Sequence, residues 1–146
     1  MRLASVPILS ELMTRPSRMG TRLLWTPAFH DPSFVTNGFV ETKYALACVP
    51  GAHQWVLKTL RNFVSVSGFR IEHVAPLQAD MRTLHQPTLL IWGRQDRLVP
   101  RDHACILEAR LPRCRTLLFE ECGHLPQLEQ PRQFNAAVLD FLRQTG

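Results

Sequence analysis

From Thr88 to Trp92 the chain runs Thr-Leu-Leu-Ile-Trp and stops at Gly93. A continuous run this short, bounded by glycine, predicts a strand buried on both faces of a parallel sheet. A second run, Arg115 to Phe119, ends at the polar loop 120–130. Between the two, Ala104, Leu107 and Leu111 recur at helical spacing, which predicts a helix over about 100–111. After the loop, Phe134, Ala137, Val138, Phe141 and Leu142 form one apolar stripe, which predicts a final helix over about 131–144 with that stripe buried. Strand, helix, strand, helix with short connections is a β-α-β-α unit with parallel neighbouring strands.

The first half is patterned differently. Pro7, Pro16, Pro27, Pro32 and Pro50 punctuate it, each suited to a helix's first turn and unsuited to its interior. Asp31-Pro32 reads as a helix cap followed by the first helical residue. Ala52, Trp55, Val56, Thr59, Leu60 and Phe63 predict a helix over about 50–63 with one buried stripe, and Val40, Tyr44 and Ala47 predict another between Gly38 and Val49. The chain therefore divides near residues 70–76 into a helical segment, 1–75, and an α/β segment, 76–146. Two strands are too few for a parallel sheet, which normally has several strands and both faces covered. The expectation is that further strands belong to N-terminal sequence absent from this chain.

Composition removes several classes of function. An apolar content of 45% and a charged content of 20% over 146 residues are globular values. The net charge of +5 rests mostly on arginine, Lys43 and Lys58 being the only lysines. Those arginines are scattered from Arg2 to Arg143, whereas phosphate binding needs positive charge gathered on one face, so a nucleic-acid partner is not expected. Cys48, Cys105, Cys114 and Cys122 form no Cys-x-x-Cys pair, and His30, His53, His73, His85 and His103 have no metal-ligand spacing; no metal is expected. The opening residues are interrupted by Pro7 and Glu11 and do not read as a signal peptide. No stretch approaches the roughly 18 apolar residues of a membrane span. A cytoplasmic protein without a membrane partner is the expectation.

The candidate chemistry lies just beyond the two strands. Ligands in open α/β sheets bind outside the carboxyl ends of the strands, and Asp96 and His124 each follow such an end. They are 28 residues apart, the length of one helical crossover between adjacent strands. An aspartate there can fix the imidazole tautomer and leave the other ring nitrogen to accept a proton. A nucleophile is missing. There is no Gly-x-Ser-x-Gly; Val66-Ser67-Gly68 lacks the preceding glycine and follows a helix, and Cys122 lies too close to His124 in sequence to be aimed at it. Cys122 reads as a small packed thiol.

The pairing of "apolar strand, Gly93-Arg94-Gln95-Asp96, Val99-Pro100" with "Gly123-His124, Pro126-Gln127, Glu129-x-Pro131" resembles the catalytic-acid and catalytic-histidine segments of the α/β-hydrolase fold superfamily. The resemblance is close over about 76–146; residues 1–75 more loosely resemble the helical cap that many members insert. It implies a partial α/β-hydrolase fold: a cap segment, then the last two parallel strands with flanking helices. It also implies that Asp96 is the triad acid and His124 the base, with the nucleophile and oxyanion loop in the front half, outside this chain. Serine there would mean ester, amide, lactone or carbon–carbon cleavage; aspartate would mean dehalogenase or epoxide-hydrolase chemistry; serine is the commoner. The substrate would be small and largely apolar, with no cofactor, and Trp25, Phe29, Phe34, Phe39 and Trp55 are candidate pocket residues, although such residues more often pack in a core. The alternative is a non-catalytic interaction module, or one piece of a split protein, on the same scaffold.

Overall fold

The computed structural model describes residues 16–65, 68–69, 75 and 81–145. The chain divides into two compact units, one of residues 1–22 and 36–79, the other of residues 23–35 and 80–146. The sequence placed the break at 75–76; the structure groups 23–35 with the C-terminal residues.

In the first unit, helix α1 (Arg18–Trp25) begins and then crosses into the second. Helix α2 (Asn37–Ala47) opens on Thr36, whose hydroxyl accepts from Phe39 N–H, a side-chain cap for a donor the helix cannot satisfy itself. Helix α3 (Ala52–Phe63) packs on α2 and runs into a two-residue strand β1 (Val64–Ser65), antiparallel to β2 (Gly68–Phe69). The patterning predicted helices alone here, so this short pairing is a difference, made where the helix ends. The predicted stripe of α3 is also corrected: among its described side chains Leu57 is buried, at 5% exposure, while Trp55, Val56 and Phe63 are exposed. Periodicity identified the helix but not the face that packs.

In the second unit, strands β3 (Thr88–Gly93) and β4 (Cys114–Phe119) pair in parallel, Thr88 opposite Cys114 and Gly93 opposite Phe119. Helix α4 (Asp102–Glu108) connects them and packs on both. The short helix α5 (Pro126–Glu129) and the final helix α6 (Pro131–Thr145) pack on β3. Ala104, Leu111 and Phe119 are buried together with Ala28, Phe29 and Val35 from the segment that precedes α2. Within that segment Asp31 does cap, accepting from Ser33 N–H, but the element it starts is a single 3-10 turn, Pro32–Phe34.

Two expectations of burial fail for one reason. β3 is half-buried along its length up to Gly93, and α6 has no fully buried residue, its Leu142 being 56% exposed. Two strands about 4.8 Å apart make a layer no wider than one helix, about 10 Å across. Such a layer cannot cover the apolar stripes of three helices, nor can they enclose it.

Candidate active site

The acid loop and the histidine loop leave β3 and β4 side by side because the register sets Gly93 opposite Phe119. Ladder-like bonds continue past the strand ends: Arg94 N–H donates to Phe119 C=O at 2.9 Å and Gln95 N–H to Cys122 C=O at 2.9 Å. Gln95 closes the exchange with its side chain, whose Oε1 accepts from Cys122 N–H at 3.1 Å. Gly93 is required by contact alone: a Cβ there would lie 1.9 Å from Gly123 O and 2.4 Å from Cys122 O. Any side chain would push the two loops apart.

This juxtaposition brings Asp96 and His124 together. His124 Nδ1 lies 2.8 Å from Asp96 Oδ2. The Asp96 side chain is only 3% exposed, while His124 remains 39% exposed. The other carboxylate oxygen, Oδ1, accepts from Leu98 N–H at 2.8 Å and Val99 N–H at 2.9 Å. A charged carboxylate taken out of water needs such donors, and they also fix its rotation so that Oδ2 faces the imidazole. The Trp92 indole donates to Val99 C=O at 3.1 Å, bracing the same loop. With Nδ1 engaged by the acid, Nε2 is left to exchange a proton. Ile91, Trp92, Gly93 and Pro126 join Asp96 and His124 around a cavity of about 130 Å³.

Behind the histidine, residues to which the sequence reading assigned no role hold its loop. Glu129, at the end of α5, accepts from Gly123 N–H at 2.7 Å and from His30 N–H at 2.7 Å. Gln130 donates to the carbonyls of Glu120 (2.6 Å) and Glu121 (3.4 Å), supporting a turn in which Glu121 has the left-handed φ of 50°. Pro131 then starts α6, where a missing N–H costs nothing. The Glu-x-Pro pattern thus has a mechanical content: one side chain for the loop's donors, one for its acceptors, and a helix start. His124 N–H itself donates to Ala28 C=O at 2.8 Å. These bonds are why 23–35 fold with the C-terminal unit; the sequence signal was present in Glu129 and Gln95, but their partners are backbone atoms, which no side-chain pattern announces.

Cys122 is fully buried, and burial, reinforced by the neighbouring Glu129, pushes its thiol up to about 12. It is a packed thiol, as its position in the sequence suggested. The candidate pocket aromatics are dispersed. Phe29 is buried and stacks on Phe34 at 5.7 Å, so it serves the core; Trp25 is half-buried, and none of these three lines the cavity. Phe39 and Trp55 belong to the other unit, Trp55 being 68% exposed. Ser67 and His73 lie outside the described residues. Among the described residues there is no cluster of three or more His, Cys, Asp or Glu side chains placed to hold a metal. No helix among them is long and apolar enough to cross a membrane.

A fold with two parallel strands whose carboxyl ends present an aspartate–histidine pair defines a class, and residues 2–137 match it: the chain belongs to the alpha/beta hydrolase family. It is 28% identical over 137 residues to a 2-hydroxy-6-oxononadienedioate/2-hydroxy-6-oxononatrienedioate hydrolase of Cupriavidus pinatubonensis, covering 94% of this chain and 45% of that protein. Over 68 residues, 47% of this chain and 27% of the relative, it is 41% identical to a pimeloyl-[acyl-carrier protein] methyl ester esterase of Nitrosomonas europaea. Among solved structures, a variant of a meta-cleavage product hydrolase superposes with a TM-score of 0.74 at 28% identity, over 92% of this chain and 49% of that one. The chain spans about half the length of the hydrolases it matches along most of its own length.

Proposed function

We propose that this chain supplies the acid and the base of a nucleophile–acid–histidine triad in a hydrolase of small, largely apolar substrates, with the nucleophile and oxyanion donors carried by sequence outside it. The observation that carries the reading is the buried Asp96 carboxylate, locked by two backbone N–H groups and placed 2.8 Å from His124 Nδ1. In that geometry His124 Nε2 takes the proton of the attacking group and later activates water, while Asp96 stabilises the imidazolium. Ester and carbon–carbon cleavage are both compatible with the relatives' names, one an esterase and the others hydrolases of unsaturated oxo acids or meta-cleavage products. The cavity's lining by Ile91, Trp92 and Pro126 supports an apolar substrate. Residues 1–75, read from the sequence as a helical cap, would serve as its lid. The outer edges of β3 and β4 are both unpaired among the described residues and could take further strands.

The test is turnover of a p-nitrophenyl ester by the purified chain, alone and after complementation with a front-half segment that bears Gly-x-Ser-x-Gly. Alone, the chain is expected to stay at background: it offers no nucleophile, and each missing oxyanion donor costs about 3–4 kcal/mol. Complementation should give hydrolysis that both Asp96→Asn and His124→Ala abolish. Activity of the isolated chain that vanishes in His124→Ala would refute the absence of a nucleophile. Complemented activity indifferent to both substitutions would refute the site.

A further inference from the structure

We infer that Glu129 is a positioning residue for His124, acting through the backbone of the histidine loop; the inference rests on the triad reading above and extends it. The two oxygens of its carboxylate are divided between two segments. Oε1 accepts from Gly123 N–H at 2.7 Å, immediately before His124, and Oε2 from His30 N–H at 2.7 Å, with Asp31 N–H more distant at 3.4 Å. Residues 28–31 are thereby pinned against the loop, and they in turn hold the histidine, since Ala28 C=O accepts from His124 N–H at 2.8 Å. The contact is close enough to exclude a side chain: a Cβ on Gly123 would lie 2.7 Å from Ala28 O and 2.7 Å from His30 N. On the opposite side the loop is tied to the acid loop by the Gln95–Cys122 exchange.

His124 is therefore held between two backbone walls, one bearing Asp96 and one fastened by Glu129. Among the described residues the imidazole has one side-chain hydrogen-bond partner, Asp96, and it is 39% exposed. Its aim thus depends on where the Gly123–His124 peptide sits. A carboxylate suits the task because two ionic acceptors can each hold an N–H group at short range, which a neutral amide cannot do with both of its ends. Glu129 is not among the residues that line the cavity; its influence passes through Gly123 and residues 28–30.

The experiment is NMR of the isotopically labelled chain as it stands, which needs no turnover. The unsubstituted chain should give the downfield Nδ1–H proton of an imidazole bonded to a carboxylate, removed by Asp96→Asn. It should also give through-bond couplings from the Gly123 and His30 amide nitrogens to the Glu129 carboxyl carbon. In Glu129→Gln the Nδ1–H signal should disappear, and the Gly123 and His30 amides should exchange about ten- to a hundredfold faster, while strand amides of β3 and β4 keep their shifts. Glu120→Gln, which removes an exposed carboxylate paired with Arg94 on the same turn, should leave the imidazole signal in place. An Nδ1–H signal that survives Glu129→Gln would overturn the positioning role and leave the triad reading standing. Absence of that signal from the unsubstituted chain would overturn both. Should Glu129→Gln fail to fold, the couplings in the unsubstituted chain still decide, because their absence removes the contact on which the inference depends.

Discussion

Replacing Gly93 by alanine adds one methyl group at the point where the acid and histidine loops touch. The added Cβ would stand 1.9 Å from Gly123 O, 2.4 Å from Cys122 O and 2.6 Å from Cys122 C, all of them backbone atoms that no rotamer change can remove. Real Cβ contacts stay beyond 3.0 Å, so the loops must separate by roughly 1 Å. Gly93 has no positive φ, so the cost is one of contact rather than backbone conformation. Forcing a methylene-sized group into a packed contact costs about 1–3 kcal/mol, and the separation also stretches the two Gln95–Cys122 hydrogen bonds, at about 1 kcal/mol each, which gives about 3–5 kcal/mol in all. Urea unfolding followed by tryptophan fluorescence should read this as a midpoint lowered by about 2 M, for a denaturant slope of about 2 kcal/mol/M. Gly38→Ala is the counterpart. Its nearest neighbour would be Thr36 Oγ1 at 3.9 Å, within helix α2, and it should stabilise by about 0.5–1 kcal/mol. A Gly93→Ala variant within about 1 kcal/mol of the unsubstituted chain would refute the claim that close approach dictates this glycine.

Other consequences can be checked as directly. Because the folded-state pKa of Cys122 is raised, its contribution to stability is complete below the unfolded value near 9 and is lost as pH rises towards about 12. The chain should therefore lose stability more steeply across that window than its Cys122→Ala variant, in unfolding curves taken at successive pH values. Thiol labelling of the native chain should modify exposed Cys48 and Cys105 first, with buried Cys122 reacting only on unfolding. Thr36→Ala removes the acceptor for Phe39 N–H and should cost about 1 kcal/mol by thermal denaturation. Trp92→Phe keeps an aromatic ring but orphans Val99 C=O; a loss of about 1 kcal/mol, with faster exchange of the Leu98 and Val99 amides, is expected.

Much of the second unit was legible in the sequence because its signals are local. A continuous apolar run ending at Gly93 located β3 and a second run ending at the polar loop 120–130 located β4, each to within a residue, and helical spacing located α4 and α6. The pair Asp96 and His124 followed from their positions beyond the two strand ends, since parallel neighbours project their carboxyl ends to one edge. Burial was less legible. The stripes of α3 and α6 were read as buried because a stripe normally faces a partner, whereas Trp55 and Leu142 are exposed; for α6 the reason is that a two-strand layer cannot cover it. Tertiary structure alone decided what holds the site together. Gln95, Glu129 and Gln130 bond to backbone N–H and C=O groups, and every residue presents those groups, so no spacing of side-chain types marks them. The docking of residues 28–31 behind His124 spans about a hundred positions of sequence. Periodicity reports which residues share a face of one element; only the packed chain fixes which distant backbone that face meets.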